Sequence, residues 1–132
     1  MATISFDLVS PEQLLFNDEV GMIIVPGKGG DIGVLPRHSK VLSSLRSGRV
    51  MVYGENKNLL KSFFVTGGFV EINPEKCIVL AEGVNEMSDL DKSSIQQQIQ
   101  ELESGASDSA KEELAIAQSK IAALDSTYYE KL

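Results

Sequence analysis

The side chains that most often carry chemistry in proteins are scarce in this sequence. It contains one histidine, His38, and one cysteine, Cys77, with neither the ligand spacing of a zinc site nor a Cys-His pair for nucleophilic catalysis. Serines are plentiful, but the Gly-x-Ser-x-Gly elbow of serine hydrolases does not occur. We therefore predict no catalytic residue, no metal site and no bound cofactor.

The two rare residues have simple structural interpretations. His38 follows Pro36 and Arg37, and these residues alone favour a half-exposed loop histidine with a local hydrogen bond over an interface role. Cys77 stands before two β-branched residues, which predicts a packed strand position and not a reactive thiol.

A glycine-rich run at residues 26–33 invites a phosphate-loop interpretation. A dinucleotide fingerprint that starts at Gly27 requires glycine at position 32, where Ile32 stands, and a helix should follow it. The Gly-Lys-Ser/Thr ending of nucleotide-binding phosphate loops is absent as well. The glycines supply tight turning and a backbone that another protein can approach closely. A hairpin turn and a protein-docking loop both fit this run.

The elements that must position these residues begin with short strands. Ile4, Phe6 and Leu8 alternate with polar residues, which predicts a half-buried strand that ends at Ser10 and Pro11. Turn residues separate the further apolar segments, at residues 20–25, 32–35, 41–45, 50–53, 59–65, 69–72 and 77–80. About eight strands are too many for one flat sheet of this length, so we expect a folded sandwich or barrel.

Helical periodicity replaces the alternating pattern after residue 86. Ser88 and Asp91 have capping-box spacing, and a first helix is predicted over residues 89–103. A turn at residues 104–108 precedes a second such pair, Ser109 and Glu112. The second helix then shows a heptad seam: Ala110, Leu114, Ala117, Ile121, Leu124 and Tyr128. The short connection predicts an antiparallel hairpin, and its narrow apolar stripe needs another surface to pack on.

Charge and hydropathy exclude two classes of partner. The net charge of −7 argues against nucleic acid, and residues 86–132 carry most of it, with ten acidic and four basic side chains. No apolar run approaches the roughly 18 residues of a membrane span, and no export signal is recognisable at the start of the sequence. We therefore expect a soluble protein on the cytoplasmic side.

Four segments closely resemble, in order, successive blocks of the epsilon subunits of rotary F-type ATP synthases: residues 6–12, 25–38, 64–71 and 79–82. The motif Gly-x-x-Gly-x-x-Gly-Val-Leu-Pro-x-His, from Gly27 to His38, is the most specific of them. The resemblance implies a β sandwich of about ten strands at residues 1–85 and an antiparallel two-helix hairpin arm at residues 86–132. It implies a non-catalytic subunit of the central stalk that couples the c ring to the gamma subunit during ATP synthesis. Such a subunit is peripheral to the bacterial inner membrane, on its cytoplasmic side.

The family pattern also implies contact residues. Three of them fall where epsilon meets gamma: Ser10, His38 and Ser43. Three others fall in the loop that meets the polar loops of the c ring: Lys28, Gly30 and Asp31. The acidic Asp31, expected at the tip of this loop, would pair with a basic or amide side chain of the ring.

The arm resembles a regulatory element with altered residues. In the family it folds against the sandwich or extends along gamma, where it hinders ATP hydrolysis by meeting the alpha and beta subunits. Some members bind ATP through Leu/Ile-Asp-x-x-Arg-Ala, to which Leu90, Asp91 and Ser94 correspond here, with serine in place of arginine. We predict weak or absent ATP binding and, because the arm carries a net charge of −6, weak inhibition. The same charges also fit a solvated helix face.

The residues alone leave two other functional classes open. A small β-barrel enzyme or sugar-binding domain would need convergent polar groups, and the scarcity of histidine and of aromatic clusters opposes it. A non-catalytic β-domain adaptor would use its helical hairpin to bind a partner helix. Co-purification with gamma and c subunits separates these readings from the epsilon interpretation.

Overall fold

The computed structural model describes residues 3–103 and 108–125. Within these ranges ten strands precede two helices. The strands are β1 (Ile4–Val9), β2 (Leu14–Val20), β3 (Met22–Gly27), β4 (Gly30–Val34), β5 (Val41–Leu45), β6 (Gly48–Tyr53), β7 (Leu59–Val65), β8 (Gly68–Ile72), β9 (Lys76–Ala81) and β10 (Val84–Glu86). The helices are α1 (Lys92–Glu103) and α2 (Asp108–Asp125), and a 3₁₀ turn at Met87–Asp89 precedes α1.

Strand pairing folds the sheet into two layers. One layer has the order β10-β7-β6-β3, with β4 also paired to β3, and the other has the order β5-β8-β9-β1-β2. The layers join at a corner where Gly27 of β3 pairs with Leu45 of β5. β1 and β9 pair in parallel, and the other described pairs are antiparallel. The β sandwich expected from the sequence is therefore confirmed.

The core lies between the layers. Ile4, Phe6 and Leu8 are completely buried, as their alternation with polar residues predicts. Phe16 of β2 packs against Phe6 with tilted rings and meets Phe63 of the opposite layer edge-on, with 6.0 Å between the ring centroids of Phe16 and Phe63. Each fully buried side chain of this size contributes roughly 1.5 to 3 kcal/mol to folding.

The sequence pattern does not predict two of the strands, β2 and β10. Residues 20–25 were expected to form one segment, but Val20 ends β2 and the chain turns at Gly21 before β3 begins. A Cβ on Gly21 would lie 2.4 Å from the carbonyl oxygen of Gly54, so only glycine fits this turn. Most of β2 is an exposed edge strand and β10 has three residues, so neither shows a strong alternating signal.

The first helix begins later than its capping pattern suggests. Ser88 lies in the 3₁₀ turn, so the prediction that it caps the helix is wrong. Asp91 is the cap: its carbonyl oxygen accepts the N–H of Ile95 at 3.0 Å, and its carboxylate accepts the N–H of Ser93 at 3.1 Å. A carboxylate before the first turn also faces the positive end of the helix dipole.

Asp108, which the sequence pattern assigned to the preceding turn, already lies in the second helix, so the cap predicted at Ser109 is wrong. Of its heptad seam, Ala117 is buried and the other described members are half-buried. The rest of the predicted turn, at residues 104–107, and the last seam residue, Tyr128, lie outside the described ranges. The division of the chain at residue 85 stays a prediction, and the last strand ends at Glu86.

The helical arm lies against the outer face of the first layer. Phe63 faces the sandwich core. The next residue, Phe64, packs against Met87 of the 3₁₀ turn and against Ala123 of α2. Lys120 of α2 places its Nζ 5.9 Å from the centroid of the Phe64 ring, a cation–π distance. The arm therefore finds on its own sandwich the packing surface that its narrow apolar stripe requires.

Candidate docking surfaces

The glycine-rich run forms a hairpin at the corner of the sandwich. β3 and β4 are joined by a two-residue turn, Lys28 and Gly29, and both residues are exposed. Gly30 follows with φ of 137°, a conformation that L side chains rarely adopt. We call residues 26–31 together with Arg46 the tip. Of the two interpretations of this run, the hairpin turn is observed, and the docking role stays a prediction.

Close packing explains one glycine of the tip. A Cβ on Gly27 would lie 2.7 Å from the carbonyl oxygen of Gly30 and 2.9 Å from the side chain of Ile32. A Cβ on Gly29 would meet nothing within 4 Å. The packing of the turn therefore requires glycine at position 27. It does not require glycine at position 29.

The resemblance led us to expect Asp31 at the tip of the loop, and this expectation is wrong. Asp31 lies in β4, where it pairs with Pro26 of β3, and its carboxylate forms an ion pair with Arg46 at 2.5 Å. Nη1 of Arg46 donates in addition to the carbonyl oxygen of Gly27. The main-chain N–H of Arg46 donates to the carbonyl oxygen of Pro26 at 2.9 Å, and that of Lys28 donates to Ser44 at 3.0 Å. The β3–β4 hairpin and the β5–β6 turn thus form one hydrogen-bonded unit.

The three residues expected to meet gamma border the second layer without forming one cluster. Ser10 follows β1 and bonds to Gln13 through both its N–H and its hydroxyl, and Ser43 lies half-buried in β5. Strands β8 and β9 separate β5 from β1. At about 4.8 Å between neighbouring strands, β5 and β1 are roughly 14 Å apart. His38 is half-buried in the loop before β5, and its Nδ1 lies 2.6 Å from the carbonyl oxygen of Ser39, the local bond that its sequence context favours.

An exposed apolar stripe on the outer face of the second layer is a feature that the sequence analysis missed. Cross-strand pairing joins Phe69 to Leu80, Leu80 to Val9 and Val9 to Leu14. The side chains of Phe69, Leu80 and Leu14 remain 55%, 54% and 56% exposed. We call these four residues the outer stripe, and Leu42, 74% exposed, lies near it on β5. Leu80 was the signal in the sequence. Its neighbours Val79 and Ala81 face the core, so Leu80 must face outward, where a polar residue would be expected.

Comparison with known proteins agrees with this architecture. Residues 3–86 match the family model described as ATP synthase, Delta/Epsilon chain, beta-sandwich domain. The ATP synthase epsilon chain of Rhodospirillum rubrum is 37% identical over 126 residues, which covers 92% of this chain and 93% of that relative. The chain belongs to the ATP synthase epsilon chain family. Its members are non-catalytic subunits of the ATP synthase.

Solved structures support the fold assignment of this family member. A chain of the mitochondrial ATP synthase of Euglena gracilis, from a structure of OSCP, F1 and c-ring, superposes with a TM-score of 0.82 at 20% identity. The superposition covers 94% of this chain and 82% of that one. A chain from the central stalk and c-ring of the Tetrahymena thermophila mitochondrial ATP synthase gives a TM-score of 0.60 at 15% identity and covers 92% of each chain. Both neighbours share the sandwich and helical arm as a fold.

The residues that correspond by resemblance to the ATP motif of some epsilon subunits have a structural use in this chain. The two oxygens of Asp91 accept bonds from the N–H of Ser93 and the hydroxyl of Ser94, so two of the motif residues cap α1 together. Leu90, the third, packs against the cluster around Phe64. The cap engages both oxygens of Asp91, and serine at position 94 carries no charge that could pair with a phosphate.

Other groups able to do chemistry are either buried or dispersed. Burial raises the pKa of the Cys77 thiol to about 12, which opposes thiolate chemistry. Residues 3–103 and 108–125 contain no group of three or more His, Cys, Asp or Glu side chains placed to hold a metal ion. Within the same ranges neither helix is both long and apolar enough to cross a membrane.

Proposed function

We propose that this family member acts in the central stalk of a rotary F-type ATP synthase and couples the c ring to the gamma subunit. The family membership supports this role, as do the likenesses to chains solved with F1 and c-ring or as part of a central stalk. By the same reasoning it lies peripheral to the bacterial inner membrane, on the cytoplasmic side.

The observation that carries this proposal is the presence of two separate uncovered surfaces on one rigid sandwich. The first layer is covered on its outside by the arm, whereas the outer stripe of the second layer is bare. The tip lies at the corner where the two layers join. A subunit that links two partners needs two such surfaces, held in fixed relation by a packed core.

The outer stripe is the proposed gamma contact. Ser10 continues from β1 beside Val9, and together with Phe69 and Leu80 it lines a shallow groove along the stripe. Ser43 pairs with the buried Val70 and so lies on the core side of β5, and we do not include it or His38 in the outer stripe. Burying three large apolar side chains gives association energy, and Ser10 supplies a polar group at the rim.

The tip is the proposed c-ring contact. Its exposed residues are Lys28, Gly29, Gly30 and Asp31, and the glycines leave the main chain open to close approach. Packing around Gly27 and the bonds of Arg46 keep this hairpin in one conformation. Because the main chain of this hairpin is already ordered, it loses little backbone entropy when it engages the ring.

The arm is proposed to be a weak regulator that stays on the sandwich. The capping role of Asp91 and the serine at position 94 support weak or absent ATP binding. The net charge of −6 opposes a contact with acidic surfaces of the alpha and beta subunits. Titration calorimetry with magnesium ATP is expected to show no binding in the micromolar range, and such binding would overturn this part of the proposal. Hydrolysis by the assembled enzyme should change little when residues 88–132 are removed, and a sharp rise would contradict weak inhibition.

The gamma contact can be tested with a charged residue in the stripe. Leu80→Glu is expected to abolish co-purification with gamma, because it places a carboxylate at the centre of the buried contact. Leu59→Glu is the matched control, since Leu59 is a similarly exposed leucine on β7, in the other layer. Equal retention of gamma by both variants, with both folded, would contradict the proposed surface. Failure of the unaltered chain to retain either gamma or the c ring would contradict the function as a whole.

A further inference from the structure

The outer stripe crosses the second layer as a row of uncharged side chains. Pairing leads from Phe69 through Leu80 and Val9 to Leu14, and Ser44 of β5 continues the row on the other side of Phe69. Phe69, Leu80 and Leu14 are each more than half exposed. An exposed apolar row of this kind marks an interaction surface, and in the free chain nothing but water covers it.

The acidic charge of the chain lies away from this row. Residues 1–85 carry eight basic and nine acidic side chains, whereas residues 86–132 carry four and ten. The arm packs through α2 on the outer face of the first layer, on the opposite side of the sandwich from the outer stripe. Two copies that meet through their outer stripes would hold their arms roughly 30 Å apart, since stacked sheets lie about 10 Å from one another. That separation is well beyond the Debye length of about 8 Å, so repulsion between the arms is weak.

We propose that two copies of the free chain pair through the outer stripe, in a two-fold dimer centred on Leu80. In a contact of this symmetry both partners present the same patch, so the chemistry that the partner offers is that of the row itself. A two-fold axis along the strands at Leu80 sets Leu80 against Leu80 of the second copy and Phe69 against Val9 of the second copy. At each end of the row Leu14 meets the small Ser44. Two sheets stacked face to face with apolar side chains between them repeat the packing of the sandwich interior.

The size of the outer stripe sets the strength of this dimer. Three half-exposed side chains leave roughly 300 Å² of apolar surface on each copy, so pairing hides on the order of 600 Å² before the rim is counted. Stable dimers bury at least about 1,200 Å². The dimer is therefore weak, and it forms and dissociates with the concentration of the chain.

Sedimentation equilibrium of the full chain, from about 10 μM to about 1 mM, measures this association. The average mass is expected to rise from that of one chain towards that of two. Leu80→Glu should raise the dimer Kd at least about tenfold, because it sets two carboxylates against each other at the centre of the contact. Leu59→Glu adds the same charge to a similarly exposed leucine of the first layer and should dimerise as the unaltered chain does. An unaltered chain that stays monomeric throughout, or equal dimerisation of the two variants, would overturn the proposal.

Salt separates this contact from an ionic one. The row has no charge to screen, whereas salt weakens the repulsion between rim carboxylates such as that of Glu82, which lines the groove of the outer stripe. Raising the salt concentration should therefore leave the dimer Kd unchanged or lower it several-fold. A Kd that rises tenfold with salt would assign the association to ion pairs and contradict the proposal.

A fluorescent variant tests the same contact while the row stays apolar. The chain contains no tryptophan, so Phe69→Trp places a single reporter in the outer stripe. Its emission should shift to shorter wavelength as the concentration rises, because the indole leaves water, whereas the emission of Leu59→Trp should stay constant. If Leu80→Glu fails to fold, as judged by circular dichroism, Phe69→Trp decides, and constant emission from it would overturn the dimer.

This inference goes beyond the proposed function and can fail separately from it. Gamma and a second copy would occupy the same outer stripe, so added gamma is expected to convert the dimer into a complex of one chain with one gamma subunit. Binding of gamma to an intact dimer would overturn the proposed contact between copies. A dimer that Leu80→Glu disrupts, from a chain that does not bind gamma, contradicts the gamma contact alone. A chain that binds gamma but stays monomeric when free contradicts the dimer alone.

Discussion

Arg49 of β6 donates a hydrogen bond from Nη1 to the carbonyl oxygen of Ala123, at 3.1 Å, and thereby joins the sandwich to α2. A hydrogen bond from a charged donor such as a guanidinium is stronger than one between neutral groups. This bond connects two elements whose residues lie 74 positions apart in the chain.

Replacing Arg49 should release the arm without unfolding the sandwich. In Arg49→Met, amide hydrogen exchange in α2 is expected to rise roughly ten- to a hundredfold, the effect of losing a charged hydrogen bond. Exchange in β1 and β9 should not change. Lys61→Met is the matched control, because it removes an exposed cation of the neighbouring strand that is paired with Glu86 and not with α2. Identical α2 exchange in the Arg49 variant and the unaltered chain would show that the bond does not hold the arm.

Two glycines of the tip should respond differently to the same added methyl group. Gly27→Ala is expected to lower the free energy of unfolding by about 1 to 3 kcal/mol, because its Cβ would clash with the main chain of Gly30. Gly29→Ala, which meets nothing within 4 Å, should change it by less than about 0.5 kcal/mol. Urea denaturation of the two variants measures the difference. Equal stabilities would mean that the hairpin yields where we describe it as rigid.

Features that depend on residues close together in the chain can be predicted from this sequence, whereas features that depend on strand pairing cannot. The alternation of Ile4, Phe6 and Leu8 records the inward face of β1 directly, and the family motif places the hairpin and its glycines. The outer stripe was missed because it joins residues from β1, β2, β8 and β9 that only strand pairing brings together. Asp31 was expected at the tip of the loop, but the turn falls at Lys28 and Gly29, so Asp31 lies in β4 opposite Pro26.

The helix caps show a second limit of sequence patterns. Ser88 and Asp91 have the spacing of a capping box, and either could begin a helix on that evidence. The structure uses Asp91, because Met87 must reach the cluster beside Phe64 and the chain makes a 3₁₀ turn there first. Packing of one side chain against the sandwich thus shifts the helix start by three residues, from the predicted residue 89 to Lys92.

Cys77 should report global unfolding. Its burial raises the pKa of the thiol to about 12, so at pH 8 the thiolate fraction is on the order of one part in ten thousand. We expect no reaction with Ellman's reagent in the native protein and rapid reaction in denaturant. The Arg49→Met variant should stay unreactive, because Cys77 lies in the sandwich core and not under the arm. Fast labelling of the native chain would contradict this burial.

Asp7 should make the stability of the sandwich depend on acid pH. Burial raises the pKa of Asp7, but hydrogen bonds from Asn17 and Lys76 and the charge of Lys76 outweigh it and hold the pKa below the usual 3.8. A carboxyl group whose pKa is lower in the folded state stabilises above its unfolded pKa, and that contribution is lost as pH falls through the folded value. The contacts of Asp7 join β1 to β2 and β9.

The difference in Tm between the unaltered chain and Asp7→Asn should therefore be largest near neutral pH and shrink as pH falls below about 4. Thermal unfolding followed by circular dichroism, over a series of acid buffers, measures it. In a Lys76→Met background the pH-dependent part of the difference should be smaller, because one of the groups that lower the pKa of Asp7 is gone. A difference that stays constant from neutral to strongly acid pH would mean that the carboxylate of Asp7 gains nothing from Asn17 and Lys76 on folding.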